Sequence, residues 1–186
     1  PTHRARIRRL GDFLVIMSFN SDRRLKDPTR LSAFFELLQE KGADIVCIQE
    51  TESLNILPTM AQENGWIVVK YLNVMTLIKT GSKAALMWDS TKNWHGELPD
   101  HTPINALGIT LDTSEGPLLI INAYIPTGVD EMDATNKGHI EDIHSAIREE
   151  AARYTMSILT MDANETRTKK GRALFRPVSK KGDICA

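Results

Sequence analysis

The sequence predicts a layered α/β domain, and three features carry that prediction. Short apolar runs flank an amphipathic stretch near the start: Phe13-Leu14-Val15-Ile16-Met17-Ser18-Phe19, a helical stripe, then Asp44-Ile45-Val46-Cys47-Ile48-Gln49. Strand–helix–strand spacing of this kind builds sheets covered by helices. Several runs also end abruptly in residues able to do chemistry, most clearly Ser157-Ile158-Leu159-Thr160-Met161-Asp162-Ala163-Asn164. Finally, 186 residues with 41% apolar and 25% charged content suit one globular domain with a substantial core.

Taken in order, Phe13 to Phe19 reads as a buried strand that breaks at Asn20-Ser21-Asp22, with Arg23, Arg24 and Lys26 in the loop beyond. Asp27-Pro28 predicts a helix start, an acid at the N-cap and a proline in the first turn. Leu31, Phe34, Phe35 and Leu38 keep the helical stripe, and Gly42 supplies the stop. The strand from Asp44 to Gln49 delivers Glu50-Thr51 at its end. A shorter helix covers Leu57 to Asn64, closed by Gly65, and Trp66 to Lys70 returns to strand.

From there to Asp112 the pattern favours β-structure, with turns at Thr80-Gly81-Ser82 and around Pro99 to Pro103. Ala84 to Trp88 and Ile104 to Leu111 are its strands. After the turn Ser114-Glu115-Gly116-Pro117, Leu118 to Ile125 forms a strand stopped by Pro126. Asp133 to Tyr154 is the longest helix candidate, with Ile140, Ile143, Ile147 and Ala151 at helical spacing. The strand ending at Asp162 follows, then a basic, loop-like tail. No internal repeat or linker divides the chain.

Charge is uneven. Residues 1–30 hold eight Lys and Arg against three acids, and residues 167–186 hold seven against one. Between them eight basic residues face 20 acids, a net of −12. Basic tips on an acidic body suit local contact with a polyanion, although solvated charge runs are the commoner explanation of such ends. Two cysteines, Cys47 and Cys185, provide no disulfide framework, so the expected setting is reducing and intracellular, nuclear or cytoplasmic. No apolar run is long enough to span a membrane, and no secretory leader opens the chain. Its first residue is Pro1 rather than Met, as expected of a segment cut from something longer.

Four strand ends collect the candidate chemistry: Asn20, Glu50, Tyr124 and the pair Asp162/Asn164. Each has a plain structural alternative: a turn, a solvated acid, a core aromatic or an Asx-type turn. Their shared placement at strand C-termini favours a common site, because that end is where layered folds present functional side chains.

The segments Ser18-Phe19-Asn20, Ile48-Gln49-Glu50-Thr51, Asn122-Ala123-Tyr124-Ile125-Pro126 and Met161-Asp162-Ala163-Asn164, in this order, resemble the endonuclease/exonuclease/phosphatase superfamily. The nearest branch is the apurinic-endonuclease-like domain of LINE-type (non-LTR) retrotransposons. The resemblance implies a four-layer sandwich of two mainly antiparallel sheets flanked by helices. It also implies hydrolysis of a phosphate ester with Mg²⁺ or Mn²⁺, nicking DNA to a 3′-hydroxyl. By the same resemblance Glu50 and Asn20 belong to the metal site, hard oxygen ligands that suit Mg²⁺. Asp162 orients or deprotonates the attacking water, Asn164 holds that acid or the phosphate, and Tyr124 contacts the phosphate as charge builds.

The implied partners are DNA, and either the missing C-terminal segment or a reverse transcriptase domain of the same polyprotein; no membrane partner is expected. The rivals are a phosphatase or phosphodiesterase of the same fold and a catalytically dead nucleic-acid-binding relative. Three departures accompany the resemblance. Met161 replaces the usual glycine, Ala163 the usual phenylalanine, and nothing after Asn164 matches the family's closing Asp-containing strand and Ser-Asp-His ending. The five histidines (His3, His95, His101, His139, His144) all lie earlier. The expectation is therefore one domain, 1–186, incomplete at its C-terminus and with little nuclease activity alone unless another chain supplies the remainder. Asn164-Glu165-Thr166 spells a glycosylation sequon, read as accidental because a glycan there would block the site.

Arg23, Arg24 and Lys26 follow one candidate strand end, and Arg167, Lys169, Lys170 and Arg172 follow another. Both loops are expected at the rim of the site, positioned to hold a DNA backbone. Neutralising Lys169 and Lys170 together is expected to weaken DNA binding and reduce the slope of log K against log salt by roughly 2. Fluorescence anisotropy across a salt series measures it, and an unchanged slope refutes it.

Overall fold

The computed structural model describes residues 3–9, 12–22, 24–82, 84–97, 103–125 and 134–162. Among these residues, nine strands and three helices follow in the order β1 (His3–Arg9), β2 (Asp12–Asn20), α1 (Pro28–Glu40), β3 (Ile45–Gln49), α2 (Leu57–Glu63), β4 (Trp66–Tyr71), β5 (Val74–Lys79), β6 (Ala85–Glu97), β7 (Pro103–Thr113), β8 (Gly116–Tyr124), α3 (Ala134–Ala151) and β9 (Met156–Asp162). A short 3-10 turn, Arg24–Lys26, precedes α1.

Two sheets form from consecutive halves of the chain. The first has strand order β1-β2-β3-β5-β4 and the second β6-β7-β8-β9. Pairing is antiparallel except for β2 with β3 and β8 with β9, the two pairs whose connections carry α1 and α3. That exception follows from geometry: neighbouring parallel strands need a long crossover, and a helix supplies it. The expected sandwich of two mainly antiparallel sheets flanked by helices is the architecture found.

Alternation along the strands sorts the apolar residues into three layers of contact. Val15, Met17, Val46, Ile48, Met75 and Leu77 turn outward from the first sheet to meet Leu31, Phe34, Phe35 and Leu38 of α1 and Leu57 and Ala61 of α2. Ile16, Ile45, Cys47 and Ile78 turn inward, against Leu107, Ile109, Leu111, Leu118, Ile120 and Ile158 of the second sheet. Behind that sheet, Ala106, Leu119, Ile121 and Ala123 pack on Ile140, Ile143 and Ile147 of α3. The order is helices, sheet, sheet, helix.

Local signals act as the sequence predicts at α1. Asp27 caps it, its carboxylate accepting from Thr29 N at 2.8 Å, and Pro28 occupies the first turn. The chain leaves through Gly42 at φ 59°, a left-handed conformation that costs glycine little. Two strands emerge that the sequence reading did not delimit, β1 at the sheet edge and β5 in its interior. The strand foreseen at Ala84 to Trp88 runs on to Glu97, with a register shift between Met87 and Lys92. Gly96 permits α3 to lie close on it: a Cβ there would meet Ile143 Cδ1 at 2.7 Å.

The same interior fixes the state of one thiol. Cys47 is free and buried between the sheets, and burial pushes it from 9.0 up to about 11 against the smaller opposing effect of hydrogen bonds with Thr160 and Thr76. Its folded value lies above its unfolded one, so the stability it contributes is complete below pH 9 and is lost as pH rises toward 11. The folded protein is accordingly expected to resist Ellman's reagent at Cys47 at about pH 8, where the thiolate is scarce, and to react there once unfolded in urea. Peptide mass mapping distinguishes Cys47 from Cys185.

Candidate functional site

At one end of the sandwich the termini of β2, β3, β8 and β9 meet. Asn20 closes β2, and its Nδ2 donates to Glu50 Oε1 at 3.1 Å and to Asp162 Oδ2. One amide thus joins an acid from each sheet, one 30 and the other 142 residues further along the chain. Its orientation is fixed from behind, because Asn20 Oδ1 accepts from Asp22 N at 2.7 Å. All three side chains are partly buried, which strengthens their mutual electrostatics relative to water.

Glu50 is placed by its backbone. Its φ of 58° is left-handed, uncommon for a residue with a Cβ and costing about 1–3 kcal/mol where surrounding structure imposes it. The bonds that impose it flank the residue. Ser21 Oγ donates to Glu50 O at 2.8 Å, Ser21 N to Gln49 O at 3.1 Å, and Thr51 N to Asn73 O at 3.0 Å. Ser21 and Thr51 are themselves buried, so this turn is braced on both sides.

Tyr124 and Asp162 are set by register. They stand directly opposite one another at the ends of parallel β8 and β9, and Ile125 N donates to Asp162 O at 2.9 Å. Tyr124 is half-buried and its ring packs against the inter-sheet core, so it is both a core aromatic and a rim residue. Met161 alternates to the outer face and packs among the residues under α3, which accommodates a side chain where the resemblance leads one to expect glycine.

Beneath these residues two amides tie the sheets together. Gln49 Nε2 donates to Asn122 Oδ1 at 2.8 Å, and Asn122 Nδ2 donates to Ile48 O at 3.2 Å and Met75 O at 3.0 Å. Both side chains are sealed from solvent. Each lies next to or near a site residue in its own strand, Gln49 before Glu50 and Asn122 two before Tyr124. Sequence reasoning quoted both without assigning them work; an amide inside an otherwise apolar strand was the available signal.

Asn20, Glu50 and Asp162 are therefore joined, with Tyr124 opposite Asp162 in register. Arg24 and Lys26 are exposed just past Asn20, Arg24 pairing with Asp22 at 2.7 Å. Asn164, Arg23, Arg167, Lys169, Lys170 and Arg172 lie outside the described residues. Of the histidines with described side chains, His95 is exposed and His144 is buried on α3, where burial and then Arg148 lower its pKa.

No protein-family model matches the sequence, and no curated protein does. Solved structures do match. The chain is similar to truncated Caenorhabditis elegans TDP2, at 14% identity and TM-score 0.61 over 82% of this chain and 62% of that one. It is similar to the human Nocturnin catalytic domain with bound sulfate, at 15% identity and TM-score 0.63 over 84% and 64%. An endonuclease/exonuclease/phosphatase family protein from Bacteroides thetaiotaomicron matches at 13% identity and TM-score 0.62 over 92% and 68%. The fold is that of the endonuclease/exonuclease/phosphatase proteins, and the chain spans 62% to 68% of the length of these three.

Replacing Asn122 with leucine removes its bond from Gln49 Nε2, which keeps only Ser18 Oγ at 3.3 Å, and its bonds to the Ile48 and Met75 carbonyls. The expected loss is about 2–4 kcal/mol, since buried polar groups left unpaired cost about 1–3 kcal/mol each. Urea denaturation measures it, and an unchanged midpoint at unchanged m-value would show that the two amides do not hold the sheets.

Proposed function

We propose that this chain belongs to the endonuclease of a LINE-type retroelement, an enzyme that cleaves a DNA phosphodiester with Mg²⁺ or Mn²⁺ and leaves a 3′-hydroxyl able to prime reverse transcription. The observation that supports it is the joining of Glu50 and Asp162 through the Asn20 amide, at the end of the sandwich where Tyr124 also stands.

The donor set fits the implied cation. Two carboxylates drawn toward one neutral amide leave negative charge concentrated in a partly buried site. Mg²⁺ characteristically takes one or two carboxylates and fills its remaining positions with water and phosphate oxygens. Among the described residues no group of three or more His, Cys, Asp or Glu side chains could hold a metal ion. Glu50 would hold the cation, with Asn20 beside it, and when bound the cation would neutralise charge on the phosphate and polarise it.

The chain's own side chains supply the remainder. Asp162 accepts a proton from the water that attacks phosphorus, and the Asn20 Nδ2–H on its Oδ2 holds the carboxylate in a fixed rotamer. The Tyr124 hydroxyl, across the strand pair from Asp162, donates to a non-bridging oxygen as negative charge develops there. As the P–O3′ bond breaks, the leaving oxygen takes a proton from solvent and becomes the 3′-hydroxyl, with phosphate retained on the 5′ end. Arg24 and Lys26, exposed past Asn20, hold the DNA backbone beside the site.

Calorimetric titration with Mn²⁺ provides the test. Wild type is expected to bind, and Glu50→Gln to weaken binding at least roughly tenfold, because a charged oxygen donor is lost. A DNA duplex is expected to bind the Mn²⁺-loaded wild type in preference to inositol phosphates, and any nick formed to be extended by a DNA polymerase. A wild type that takes up no Mn²⁺ points to the catalytically dead relative. Preference for small phosphate esters points to the phosphatase reading.

A further inference from the structure

One polar side chain at this end of the sandwich has no use in the reading above. Asn105 lies near the start of β7, opposite Tyr124 in the antiparallel β7–β8 register, and Tyr124 is opposite Asp162 in turn. Residues directly opposite across a sheet share a face, so Asn105, Tyr124 and Asp162 form one row at the site end. The alternation of β7 agrees: Leu107, Ile109 and Leu111, at two-residue steps from Asn105, enter the inter-sheet core, whereas Ile104 and Ala106 face α3.

Asn105 is 0% exposed, and neither its Nδ2 nor its Oδ1 has a hydrogen-bond partner. The contrast with Asn122 is direct. That residue sits one row deeper on the same face, equally sealed, with its amide bonded to the first sheet. Both are asparagines in otherwise apolar strands, yet only the one at the site end lacks partners. An amide offers two donors and two acceptor lone pairs, and burying them unmet is costly. A valine would suit the strand and avoid that cost. Local rules are broken in this way where function requires the group.

We propose that Asn105 is a phosphate-contacting residue of the site, its Nδ2 donating to a non-bridging oxygen of the bound ester beside the Tyr124 hydroxyl. Its Oδ1 accepts from a water or hydroxyl that enters with the ester. The inference rests on the phosphoesterase reading and adds to it a donor from the third strand of the row. Because the amide is sealed in the free chain, the phosphate engages it at the floor of the site, beyond half-buried Tyr124 and Asp162. The contact is uncharged, so it favours the phosphate oxygen by hydrogen bonding without competing for the cation.

The test uses the 186-residue chain, inorganic phosphate as probe and saturating Mn²⁺, with phosphate binding followed by equilibrium dialysis and stability by thermal melting. Asn105→Val is expected to raise Tm by about 2–4 °C, because it removes an unsatisfied amide, and to weaken phosphate binding about 10- to 100-fold, the worth of a hydrogen bond to a charged group. Gain of stability with loss of binding is a combination that a purely structural asparagine does not produce. Asn105→Ala, too small to clash, is expected to lose the same binding even if valine proves too bulky to fold. Unchanged phosphate affinity in either folded variant overturns the role of Asn105 alone. A wild type that binds no phosphate overturns this inference together with the reading beneath it.

Discussion

The Gln49–Asn122 bond is the contact on which the site's geometry depends. Apolar burial drives the two sheets together, but it is non-directional and allows sliding. The amide pair is directional. It fixes one strand of the first sheet against one strand of the second at 2.8 Å, with Asn122 also gripping the carbonyls of Ile48 and Met75. Glu50 and Tyr124 sit immediately above that fastening on their respective strands. Buried polar networks that are fully bonded add specificity of arrangement, which is the requirement when acids from separate sheets must meet.

Above the fastening, the protein works against its own electrostatics. Two carboxylates are brought to one amide, a glutamate is held at φ 58°, and an asparagine is sealed without partners. Each is unfavourable alone, and all lie at the same end of the molecule. Elsewhere the strands alternate, Asp27 caps α1, and glycine takes the left-handed turns at Gly42, Gly65, Gly81 and Gly116. Concentrating unfavourable features at one end is the pattern of a site preorganised for a charged ligand, with the hydrophobic layers supplying the stability that sustains it.

Much of this was legible in the residues themselves. The strands ending at Asn20, Gln49, Tyr124 and Asp162 are apolar runs with polar stops, and such runs can only be buried. α1 announced itself through Asp27-Pro28 and its stripe. By contrast, Arg4-Ala5-Arg6-Ile7-Arg8-Arg9 reads as a charge cluster, although its alternation suits an edge strand, where basic residues are common. β5 was not delimited because the turn before it passes through Leu72 at φ 46°, with no glycine to mark it. The predicted long helix stops at Ala151 rather than Tyr154, whose hydroxyl instead meets Thr110 Oγ1 at 3.0 Å. Gln49, Asn105 and Asn122 escaped because a polar residue in a strand declares no partner. Pairing across sheets is a property of the tertiary fold.

The division of the sheets between consecutive halves of the chain bears on how the molecule comes into being. The core under α1 and α2 draws only on residues between Val15 and Leu77, so this layer can consolidate while later residues are still being synthesised. Its other face, with Ile16, Ile45 and Ile78, must then wait uncovered for the second sheet. The two acids remain on separate units until Asp162 has emerged and β9 has docked. Vectorial growth therefore keeps the nascent chain from concentrating negative charge before the layers that can bear it are in place.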